Sequence, residues 1–126
     1  MSHYLDHEKL EVYHLAIKFV VIADDIVCDL PRGRAYLVDQ LRRAASSITL
    51  NIAEGAGEYA AAEKARFYRM AKRSATECSS ILDILQNLKL IEDDLFHKAR
   101  KILFSVVAIL ITMVKRLGKQ NAMQPV

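Results

Sequence analysis

The sequence predicts an all-α protein, an antiparallel up-down-up-down four-helix bundle. Three observations carry this. Apolar residues make up 52% of the 126 and recur at helical spacing over long stretches. Only 2 Pro and 4 Gly interrupt them, too few for the turns of a β-sandwich or barrel. Aromatic residues are 7% and Trp is absent, against the composition of strands. The length fits one domain, taken as residues 1–118, with 119–126 as a flexible C-terminal tail.

The elements follow in order. A first helix over about 7–29 ends before Pro31-Arg32-Gly33. A second, about 34–54, carries Leu37, Leu41, Ala44, Ala45, Ile48 and Ile52 on one face and stops at Gly55-Ala56-Gly57. A third, about 58–89, aligns Phe67, Ala71, Ser74, Cys78, Ile81, Leu82, Leu85 and Leu88. The break after it has neither Gly nor Pro, but Glu92, Asp93 and Asp94 suit the positive end of a helix dipole. A fourth, about 93–117, closes with Lys115 and Arg116 before Gly118. Short connections make successive helices antiparallel neighbours.

Helices one and four are apolar nearly all round, through Ile17, Phe19, Val20, Val21 and Ile22 and through Val106, Val107, Ile109, Leu110 and Ile111. One stripe suffices for a bundle core, so a second apolar side calls for a cover, and another copy of the chain is the expected one. The alternative is a monomer with some exposed β-branched residues. The run Ile102–Val114 is too short for the roughly 20 residues of a membrane span. The N-terminus lacks the basic-then-apolar pattern of a signal peptide. With only 2 Cys, a cytoplasmic chain with reduced thiols is expected.

The net charge of +3 is unevenly spread. Residues 1–31 carry two basic against six acidic side chains, a net −4. Residues 32–73 carry nine basic against four acidic, a net +5, and the remainder is +2. At about 100° per residue, Arg66, Arg69 and Arg73 share one face of helix three, opposite its apolar stripe. Arg42 and Arg43 lie on helix two, where Arg43, Ser47, Asn51 and Glu54 form a polar stripe beside the core face. Arginine suits phosphate because its planar fork donates paired hydrogen bonds. These five arginines are the candidate nucleic-acid contacts. The other reading is a solvated face with Glu63–Arg66 and Arg73–Glu77 pairs, and +3 overall is small for a nucleic-acid binder.

Other constellations point less far. His7, Glu11 and His14 fall at i, i+4 and i+7 of the first helix, one face with metal-binding donors, but in no defined motif. Cys28 and Cys78 fall on core-directed faces with no His nearby in sequence to activate them. There is no phosphate loop, zinc spacing or nucleophile elbow. No enzymatic activity, metal or cofactor is expected. Asn51 is a poor mid-helix residue. Either it is a boundary residue bonding a neighbouring helix, or Arg43, Asn51 and Glu54 form a network that fixes one packing.

The run from Gln40 to Gly55, with Arg42-Arg43-Ala44, Ser47-Ile48 and Asn51-Ile52-Ala53-Glu54-Gly55, resembles the signature of the bundle proteins encoded in intervening sequences of bacterial 23S ribosomal RNA genes. Arg66-Phe67-Tyr68, Ala71, Ser74 and Glu77 are similar to that family's second block, and Leu10–Tyr13 and Leu30-Pro31 to its opening. The resemblance covers about residues 5–117. It implies a four-helix bundle assembled as a ring-like homopentamer, with Ser47, Asn51, Glu54, Gly55 and Glu77 as structural motif positions. The fold is shared with basic accessory proteins of diversity-generating retroelements, which bind a reverse transcriptase and nucleic acid. Where members often place Gly-Arg after the Asn51–Gly55 block, this chain has Gly57-Glu58. The expectation is a non-catalytic oligomer that binds RNA or DNA, or, as the alternative, a protein scaffold such as a reverse-transcriptase accessory protein.

Overall fold

The computed structural model describes residues 3–123, and the side chains of 3–120. Its elements are a short 3₁₀ turn, Asp6–Lys9, and four helices: α1 (Glu11–Cys28), α2 (Ala35–Ala56), α3 (Ala61–Asn87) and α4 (Asp93–Met123). There are no strands among the described residues. Each helix packs on two others: α1 and α3 both pack on α2 and α4, and α1 does not pack on α3. The cross-section is therefore a square with α1 and α3 on one diagonal.

The predicted core face of α2 is buried in full, and Ile48, Ile52 and Leu41 are at 0% exposure. Burying such a side chain stabilises the fold by about 1.5–3 kcal/mol. On α3, Ala71, Cys78, Ile81, Leu82 and Leu85 are buried as expected. Phe67 is only half-buried and Leu88 is exposed, and Tyr68 is the buried aromatic instead. The cause is Gly55. A Cβ on Gly55 would lie 2.7 Å from Tyr68 Cε1, so the missing side chain makes room for the ring. Burial pushes the Tyr68 hydroxyl above its usual range. Gly55 thus lies inside α2, not after it, and the helix runs one residue further, to Ala56. Lys64 Nζ donates to the carbonyls of Gly55 (3.2 Å) and Ala56 (2.9 Å). It places a cation on the negative end of α2.

The break between α3 and α4 needs no glycine. Lys89 takes φ +59°, Lys89 N–H donates to Gln86 O, and Leu90 N–H donates to Leu85 O. This is a Schellman ending with a lysine in the left-handed position. At the other terminus α4 runs through Gly118 to Met123, so the expected stop at 117 is overrun. The last three residues of the expected tail, 124–126, lie outside the described residues.

Two readings of α1 are corrected. The 3₁₀ turn and an extended Leu10 (φ −93°, ψ 124°) precede it, so the helix begins at Glu11 and not near residue 7. Cys28, at its last position, is exposed, because Ile26 and Val27 take the core side. Cys78 is buried, and burial, then the charge of Glu77, pushes its thiol up to about 12.

Candidate nucleic-acid interface

The five arginines do not share one surface. Arg66, Arg69 and Arg73 do come together: with Met70 they line a solvent-open depression of about 320 Å³ on the outer face of α3. Successive turns bring them there, at spacings of three and four residues. Arg66 is held by Glu63 Oε2 (3.1 Å) and lies over the Phe67 ring, 4.5 Å from its centroid. That contact fixes the guanidinium plane while leaving the side chain half exposed. Arg73 and Glu77 are both exposed and do not pair with each other. Arg43 is exposed on α2, the helix beside this face. Arg42 belongs elsewhere: it reaches Asp24 on α1 at 3.7 Å, across the opposite edge of α2.

The polar network is real but has different members. Asn51 Nδ2 donates to Ser47 O (2.8 Å) and Ser47 Oγ (3.0 Å), and Ser74 Oγ donates to Ser47 Oγ (2.8 Å). It joins α2 to α3 beside the arginine face, part-buried, and fixes the register of the two helices. Arg43 and Glu54 are exposed and lie outside it. Glu77 is exposed as well. Ser47, Asn51 and Gly55 therefore act in the α2/α3 seam, the first two by hydrogen bonds and the third by close approach.

The histidine face does not form. His7 sits in the 3₁₀ turn with its ring edge against Tyr13, and His14 Nε2 donates to Glu8 O at 2.8 Å. The break at Leu10 removes the helical register that would have aligned them with Glu11. Among the described residues no group of three His, Cys, Asp or Glu is arranged to hold a metal ion. No described helix is long and apolar enough to cross a membrane. The Thr49 hydroxyl is buried without a partner.

Sequence reasoning missed two residues. Met70 floors the arginine depression, and Phe104 stands 69% exposed on α4. Phe104 was legible as the position opposite the buried Leu103, Val106 and Leu110 at helical spacing.

A family model described as 23S rRNA-intervening sequence protein matches residues 8–112. The chain belongs to that family. The match spans the Gln40–Gly55 run, the α2/α3 seam and the arginine face. A crystal structure of a protein of unknown function from the S23 ribosomal protein family of Bacteroides thetaiotaomicron is similar in fold. The TM-score is 0.77 at 20% identity, over 82% of this chain and 98% of that one. No curated protein matches.

Proposed function

We propose that this protein is a non-catalytic, self-assembling bundle in the cytoplasm that binds RNA through the arginine face of α3. The single observation that supports it is the convergence of Arg66, Arg69 and Arg73 on one solvent-open depression. Arg43 extends this surface from α2, and Arg42 contributes only if its pair with Asp24 opens. Such contacts read phosphates and position the protein without reading bases. In this reading successive helices alternate in direction, as their short connections favour, and copies assemble into a ring, which repeats the +5 segment around an axis.

The test is a gel shift of structured RNA and of duplex DNA at micromolar protein. Wild type retards the RNA, and the Arg66→Gln/Arg69→Gln/Arg73→Gln variant does not. A wild type that retards neither nucleic acid overturns the reading. The alternative, a scaffold for a protein such as a reverse transcriptase, draws on the exposed apolar surface of α1 and α4. Co-purification with a reverse transcriptase that survives the triple substitution, with no RNA shift, would favour it.

A further inference from the structure

Two grooves lie on opposite sides of the square. On the α1/α2 side, a groove of about 390 Å³ is lined by Val20, Val21, Ala23, Ala45 and Ser46, with Asp24, Asp25 and the Arg42 that pairs with Asp24 as its charged residues. On the α3/α4 side, Phe104 stands beside a shallower groove, with Arg100 one turn away. Phe104 is 69% exposed and Val21 57%. Asp24 is already shared with Arg42, but neither Asp25 nor Arg100 has an ion-pair partner among the described residues.

The two sides match in three respects. The first is shape: a phenyl ring projects from one side and a groove floored by two alanines opens on the other. A dry cavity of ~150 Å³ holds benzene, so the groove has room for the ring. The second is charge, a carboxylate on one side and a guanidinium on the other. The third is spacing: Val21 precedes Asp25 by four residues, and Arg100 precedes Phe104 by four. The end of α1 and the start of α4 lie at the same end of the bundle, since Ile26 and Asp29 line one depression with Leu90, Ile91 and Leu95. On both sides, then, the charged residue is one turn nearer that same end. Two copies set side by side with parallel axes bring apolar to apolar and charge to charge together.

We infer that the α1/α2 groove receives Phe104 of a second copy of this chain, with Arg100 of that copy against Asp25. This rests on the self-assembly proposed above and names its contact. The interface is heterologous: each copy offers a knob on one side and a groove on the other, so the contact repeats from copy to copy. An aromatic in a desolvated pocket is the residue type that dominates interface energies. The contact leaves the α2/α3 side uncovered. Arg66 and Arg73 of every copy then face the same way around the assembly.

The test uses two variants at exposed positions, Phe104→Asp, which removes the knob, and Val21→Arg, which blocks the groove. Circular dichroism checks that both keep wild-type helicity; if either does not, Phe104→Ser and Val21→Gln replace them. In sedimentation velocity at micromolar concentration, wild type is assembled and each variant alone runs at the 14.2 kDa of one chain. Mixed one to one, they form a two-chain species, because one knob and one groove survive intact. Variants that assemble like wild type would overturn the contact while leaving self-assembly standing. A mixture that stays at one-chain mass would overturn its head-to-tail character. A monomeric wild type would overturn both the contact and the self-assembly beneath it, while RNA retardation by that monomer would still be read separately.

Discussion

Replacing Gly55 by alanine puts a methyl carbon 2.7 Å from Tyr68 Cε1, 2.9 Å from Cδ1 and 3.1 Å from Phe67 Cβ. Carbon atoms at rest sit about 3.5–4.0 Å apart, so the ring must move by roughly 0.8 Å. Tyr68 is 4% exposed and has little space to move into. Overpacking of this kind costs ~1–3 kcal/mol, and three simultaneous close contacts put it in the upper part of that range. Alanine returns ~1 kcal/mol through helix propensity. The net loss is ~1–2 kcal/mol. With a urea slope of ~1.5 kcal/mol/M, the midpoint falls by about 1 M at fixed protein concentration. Gly118 supplies the contrast: it too lies in a helix, but a Cβ there meets nothing within 4 Å. Gly118→Ala should raise stability by ~0.5–1 kcal/mol. In a Tyr68→Leu background the Gly55→Ala loss should shrink by ~1 kcal/mol, since the clashing ring atoms are gone. A Gly55→Ala midpoint that rises like that of Gly118→Ala would mean that the Tyr68 ring does not need the space at Gly55.

Four further predictions follow from the same structure. Lys89→Gly should stabilise by ~1 kcal/mol in urea unfolding, because Lys89 pays a left-handed φ of +59° that glycine adopts freely. Thr49→Val should stabilise by ~1 kcal/mol, since it removes a buried hydroxyl with no partner at nearly constant volume. The thiols should differ: a disulfide-exchange reagent at pH 8 titrates the exposed Cys28 quickly and Cys78 only on unfolding. Cys78 also sets a pH dependence. Its folded thiol holds its proton up to about 12 against a reference of 9.0. Unfolding therefore releases a proton above pH ~9, and stability declines between pH ~9 and ~12. From pH 8 to pH 10, Cys78→Ala should lose ~1.4 kcal/mol less than wild type.

How far the sequence was legible differs by feature. The four helices were, because the α2 stripe from Leu37 to Ile52 and most of that on α3 have no other periodic reading. Boundaries were harder, since each rested on local geometry. Leu10 is extended although nothing in Asp6–Lys9 marks a break, and α4 carries Gly118 in its interior. The exchange of Tyr68 for Phe67 in the core follows from Gly55, thirteen residues before Tyr68 and on another helix. Asn51 announced a polar contact by its poor helix propensity, but its partner is Ser47 on the same helix, and the bond across the seam, from Ser74 to Ser47, depended on how α2 meets α3. The arginine triad was legible from angular spacing alone. The placement of Arg42 was not, because one residue's rotation turns it from that face toward Asp24.

If the α3 arginines engage phosphate, RNA affinity must fall steeply with salt. Fluorescence anisotropy of a labelled structured RNA, titrated at several salt concentrations, gives the slope of log K against log salt. Each phosphate contact contributes about 0.7–0.9 to that slope. Wild type should bind with a steep negative slope. Arg66→Gln/Arg69→Gln/Arg73→Gln should bind far more weakly, with the slope shallower by about 2 or more per binding site. Equal affinity and equal slope in the two proteins would mean that these arginines do not contact phosphate.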